Sequence, residues 1–152
     1  MEQSRPKGGF AKVVVIAVLV GGLGLVLWQS FGPSRTTTAG NGQTIKIAEL
    51  VSPSALAQAG KIAFEANCAA CHGELGGGTE FGPPFINDIY NPGHHADQAF
   101  LIAPRQGVRA HHWPFGDMPP VEGVTDEELL AIVRYVRELQ DANGIVYKPH
   151  VM

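Results

Sequence analysis

Cys68-Ala69-Ala70-Cys71-His72 joins two thiols, three positions apart, to an adjacent imidazole. This C-x-x-C-H spacing is the attachment pattern of a c-type haem. Two thiols so placed can add to the two vinyl groups of one porphyrin, and the next residue brings its ring nitrogen to the iron. Forty-five residues separate His72 from Met118, which stands in Gly116-Asp117-Met118-Pro119-Pro120. A thioether in a proline-fixed loop is a candidate sixth ligand, because sulphur favours ferrous iron and raises the potential. The expected chemistry is one-electron exchange at a single haem.

C-x-x-C has three other readings. A thioredoxin-like dithiol should follow a strand in a βαβ pattern, whereas Ala55 to Asn67 reads as a helix running into the motif. Zinc usually takes a second ligand pair at matching spacing. The chain has no third cysteine, although His94, His95, His111 and His112 could supply nitrogen. A disulfide across so short a loop would constrain little.

Three helical segments must position these residues. The first starts at Ala55 with Ser54 as N-cap. Gly60, Phe64 and Cys68 recur on one face of it, where the glycine admits close approach of another helix. Thr125-Asp126-Glu127-Glu128 is a capping box that opens the last helix. Its apolar side is Leu129, Ile132, Val133, Val136 and Leu139, its polar residues include Glu127, Glu128, Arg134, Arg137 and Glu138, and Gly144 stops it. A third helix is expected over Ala96–Val108, with Phe100, Leu101 and Ile102 towards the core and Pro104 disturbing it.

These features together resemble class I cytochrome c. The motif, the glycine and aromatic on the first helix (Gly60, Phe64) and the aromatic on the last (Tyr135) carry the likeness, over residues 55–143. The resemblance implies an all-α fold around one covalent haem c, with His72 proximal and Met118 distal. Gly82-Pro83-Pro84-Phe85 resembles the family loop whose proline carbonyl accepts the proximal histidine's N–H, which assigns that carbonyl to Pro83. His111 and His112 remain rival sixth ligands, and Arg109 or Trp113 could bind a haem propionate.

The flanks set the context. Val13 to Trp28 is sixteen residues without a charge; extended to Phe31, it is long enough to cross a bilayer. A cleaved signal peptide would have a shorter apolar run and a small-residue cleavage site close behind, and Trp28-Gln29-Ser30-Phe31 offers none. Arg5, Lys7 and Lys12 precede the run, so the N-terminus is expected to stay cytoplasmic and the rest to be exported. The expected order is a cytoplasmic N-terminus (1–12), a transmembrane anchor (13–31), a flexible linker (32–54), the haem domain (55–144) and a tail (145–152). Thr44-Ile45-Lys46-Ile47 alternates briefly, which allows a short strand in an otherwise plain tether spanning about 25 Å.

Beyond the anchor lie eight of the eleven basic residues and thirteen of the fourteen acidic ones. This balance argues against nucleic acid as a partner and favours basic docking surfaces. The expected protein is a periplasmic electron carrier on the inner membrane, not an enzyme. It would serve a quinol-oxidising complex, a terminal oxidase or a periplasmic dehydrogenase. A haem sensor or peroxidase with an open sixth site, and a copper-handling protein using the histidine pairs, are the alternatives.

Overall fold

A computed structural model describes residues 34–38 and 44–149. The expected anchor, 13–31, lies outside the described residues. Among the described residues, no helix is long and apolar enough to cross a membrane. The chain runs β1 (Ser34–Thr38), β2 (Thr44–Ala48), α1 (Ala55–Asn67), α2 (Ala69–His72), α3 (Asp97–Gln106) and α4 (Asp126–Ala142). One-turn 3₁₀ segments stand at Glu74–Gly76 and Asp88–Tyr90.

Local signals set the helix starts. Ser54 Oγ accepts the Ala57 N–H at 3.2 Å and caps α1. At α4 the capping box closes both ways, with Glu128 N donating to Thr125 Oγ1 at 3.2 Å and Thr125 N to Glu128 Oε2 at 2.8 Å. α3 keeps Pro104 in its last turn and ends at Gly107, φ +75°.

The core forms where α1 crosses α4. Phe64 packs against Tyr135 with ring centroids 5.5 Å apart, and Leu129, Ile132, Val136 and Leu139 complete the layer. Gly60 lies on the crossing point. A Cβ there would run into the Ala131 carbonyl and sit 2.9 Å from Tyr135 Cβ, so only glycine lets the backbones meet.

Three features differ from the expectations. The 32–54 stretch is more than a tether: the short strand allowed at Thr44–Ile47 forms as β2, but it pairs antiparallel with a second strand, β1, from Ser34 opposite Ala48 to Thr38 opposite Thr44. Ile47 of β2 is 0 % exposed and belongs to the core. The Asn143 side chain fastens this strand like a further β partner, accepting from Ala48 N at 2.8 Å and donating to Ala48 O at 3.0 Å. A mostly helical domain with one small sheet therefore replaces a purely helical one. Ile102 is 47 % exposed, while Phe100 and Leu101 pack on the core. Arg137, expected among the polar residues of the last helix, turns inward.

Two substitutions test this packing by denaturant unfolding of the haem-loaded protein. Ile47→Ala should cost about 2–5 kcal/mol, as for a buried core isoleucine, whereas a tether residue would cost almost nothing. Gly60→Ala should destabilise by about 1–3 kcal/mol through overpacking, although its helix propensity alone would stabilise by up to about 1 kcal/mol. A stabilised Gly60→Ala protein would disprove the close crossing.

Candidate functional site

α1 hands the chain directly to the motif. Cys68 N donates to Phe64 O at 2.8 Å, and one further turn, α2, carries Cys71 and His72. Cys68 is partly buried and Cys71 exposed, so the thiols face different surroundings. Burial, then the neighbouring Cys71, pushes the Cys68 thiol up to about 11.

His72 is buried, and its Nδ1 lies 3.0 Å from the Pro83 carbonyl oxygen. A carbonyl only accepts, so Nδ1 carries the proton and Nε2 keeps its lone pair. Burial lowers the His72 pKa, and the Pro83 bond partly offsets this. The returning loop makes the contact possible. Gly78 N donates to His72 O at 2.6 Å, Phe85 N to Gly76 O at 2.7 Å, and Thr79 Oγ1 to Cys71 O at 2.5 Å. Leu75 adopts φ +55° while its side chain is buried, between left-handed Gly73 and Gly76.

Phe85 then stacks on the His72 ring, 4.2 Å between centroids at 23°, and meets Phe64, Tyr90 and Phe100 edge-on. Sequence reading passed over the polar network that holds this aromatic layer. Gln140 is fully buried and donates to Phe85 O at 3.0 Å and Tyr90 O at 3.2 Å. Arg137 donates to Tyr90 O at 2.9 Å, to His95 O and to Gln140 Oε1, pairs with Asp97 at 2.7 Å, and lies 4.7 Å over the Phe100 ring. A polar residue on the inner side of an apolar helix stripe was the available signal.

Met118 is half-buried and held by its backbone. Val108 N donates to Met118 O and Met118 N to Val108 O, both at 2.9 Å, which closes the intervening loop. Within that loop Ala110 N donates to Asp117 Oδ1 at 2.8 Å. Arg109, His111 and His112 are exposed. Trp113 Nε1 is buried without a hydrogen bond of ordinary geometry. Burial pushes the Tyr90 hydroxyl up to about 12, and the neighbouring Trp113 indole partly offsets this. His111 and His112 gather with His94 and His95: His94 Nε2 is 3.2 Å from His112 Nε2, and His95 and His111 stack 6.0 Å apart.

The residues present fit haem c. Cys68 and Cys71 supply two thiols from one turn. His72 offers Nε2, since Pro83 occupies Nδ1, and the buried Trp113 N–H suits a propionate oxygen.

A family model described as cytochrome c matches residues 57–140, more than half of the chain. No curated protein and no solved structure matches the chain. The matched span runs from the Gly60–Phe64 face of α1, through the Cys68–His72 turn, to Gln140 near the end of α4. With that turn, its thiols and its oriented imidazole, the chain belongs to the cytochrome c family, whose members carry covalently attached haem c in electron transfer.

Proposed function

We propose that this protein is a membrane-tethered periplasmic electron carrier, with His72 and Met118 as axial ligands of its one haem. Bound haem c supplies reversible one-electron exchange between ferric and ferrous iron. The observation that carries this reading is the Pro83 carbonyl 3.0 Å from His72 Nδ1, which fixes the ring's tautomer and orientation and raises its basicity as a ligand. Cys68 and Cys71 hold the porphyrin through thioethers. Val108 presents Met118 from a backbone-bridged loop. Trp113 would offer its indole N–H, which also lies near the Tyr90 hydroxyl, to a propionate.

Both histidine alternatives for the sixth position are exposed, and His112 Nε2 faces His94 Nε2 at 3.2 Å, whereas Met118 is half-buried and bridged to Val108 through its backbone. That favours Met118, and with it a filled coordination shell, over the open site of a sensor or peroxidase. A carrier needs such a shell, because ligand rearrangement on each electron would slow exchange.

The uncharged run from Val13, preceded by Arg5, Lys7 and Lys12, supports an anchor with the haem domain outside the cytoplasm. Its redox partners are then complexes at the same membrane surface: a quinol-oxidising complex or periplasmic dehydrogenase as donor, and a terminal oxidase as acceptor.

Absorption spectroscopy tests the ligand pair. Ferric wild type should show the weak red band that reports methionine sulphur on iron, and Met118→Ala should lose it. The potential of that variant should fall by roughly a tenth of a volt or more, within the range that axial ligands command. A low-spin wild type without the band would transfer the role to a histidine, and a high-spin one would mean an open site. Alkaline extraction tests the anchor: the full chain should stay in the membrane pellet and a chain starting at residue 32 should be released. Release of the full chain would refute the tether.

A further inference from the structure

The haem site leaves one chemically capable cluster unused. His94 and His95 follow the Asp88–Tyr90 turn, and His111 and His112 lie in the loop that leads to Met118. One ring nitrogen from each of His94, His95 and His112 lies within 4.8 Å of the other two. The His94–His112 separation of 3.2 Å between Nε2 atoms is close to the about 3.3 Å expected between two nitrogens on one tetrahedral ion at about 2.0–2.1 Å.

The donors are oriented as ligands are. His95 Nδ1 donates to Ile89 O at 2.7 Å, so its Nε2 keeps a lone pair. His111 is arranged alike, its Nδ1 donating to Arg109 O. The scaffold beneath is fixed, because Arg137 holds the carbonyls of Tyr90 and His95, and Asn91 Oδ1 accepts Gly93 N at 2.9 Å. Burial and the surrounding imidazoles lower the pKa of His95, and burial with His111 and His94 lowers that of His112.

We propose that His94, His95 and His112 form a second metal site for a divalent transition cation of the Cu²⁺ or Zn²⁺ class, with His111 at hand as a fourth donor. All-imidazole donors suit copper and zinc, whereas Ca²⁺ and Mg²⁺ demand oxygen ligands. Copper should bind the more tightly of the two. The ion would clip the loop that carries Met118 to the segment before α3. A series of ring contacts also leads from the site to the haem ligand: His95 to Tyr90 at 4.9 Å, Tyr90 to Phe85 at 5.3 Å, and Phe85 to His72 at 4.2 Å.

The test is titration of untagged, metal-stripped, haem-loaded full chain with Zn²⁺ and with Cu²⁺, followed by calorimetry and by electron paramagnetic resonance of the copper form. The expected result is one saturable equivalent with Kd of about 1 µM or tighter, and copper hyperfine structure from about three imidazole nitrogens. His112→Gln, at an exposed position, should fold with an unchanged haem spectrum and bind at least about 10-fold more weakly. His95→Gln should do the same. Saturation only above about 100 µM, or affinity unchanged in the His95→Gln/His112→Gln double variant, would overturn the site.

Discussion

The contact between His72 Nδ1 and the Pro83 carbonyl constrains most of the domain. An imidazole beside two thiols on one helical turn is otherwise free to rotate, and either nitrogen could carry the proton. To deliver one carbonyl to one nitrogen, the chain must reverse within eleven residues, and it does so through left-handed Gly73, Leu75 and Gly76. A left-handed leucine is unfavourable by itself. It persists because its side chain is buried and because Gly76 O accepts both Phe85 N and Ile86 N, which pins the far end of the reversal.

That reversal has to be braced from outside, and α4 does it with polar side chains. Gln140 and Arg137 between them reach the carbonyls of Phe85, Tyr90 and His95. Buried amides and guanidinium groups are costly unless their hydrogen bonds are made. Each therefore specifies one position of the 85–95 segment, where apolar side chains would tolerate several. The Phe85 ring, stacked on His72, inherits that specification. The same end of α4 also holds β2, through Asn143 one turn beyond Gln140.

What could be read from the chain follows the range of each interaction. The motif, the Ser54 cap, the capping box at Thr125 and Gly60 on the face of Phe64 are local patterns, and each has the predicted place in the structure. Ile47 was ambiguous, because a short alternating stretch carries no record of the Asn143 amide ninety-five residues away that pairs with Ala48. Arg137 read only as one of the polar residues of the last helix, since helical period alone cannot show that carbonyls of a distant loop will meet it. Ile102 read as core from its hydrophobicity, but Phe100 and Leu101 already fill the contact that α3 makes. The histidine pairs were visible as pairs, while their convergence depends on two loops folding towards each other.

The loop that carries Met118 obeys a different logic from the one around Pro83. Its exposed residues include His111, His112, Pro114, Gly116 and Asp117, so apolar burial contributes little to its position. Position comes instead from discrete fasteners. These are the paired backbone bonds between Val108 and Met118, and the Asp117 carboxylate on Ala110 N. The His112–His94 contact adds a tie to the neighbouring segment. Gly107 belongs to the same set, since a Cβ on it would stand 2.6 Å from Met118 O, too close for the bridge to form. A loop held at few points, none of them in the core, can open locally at small cost while the rest of the domain stays folded. The Met118 loop is thus the part of the site that can move away most readily, whereas the His72 imidazole, braced by Pro83 and through it by α4, is held in place.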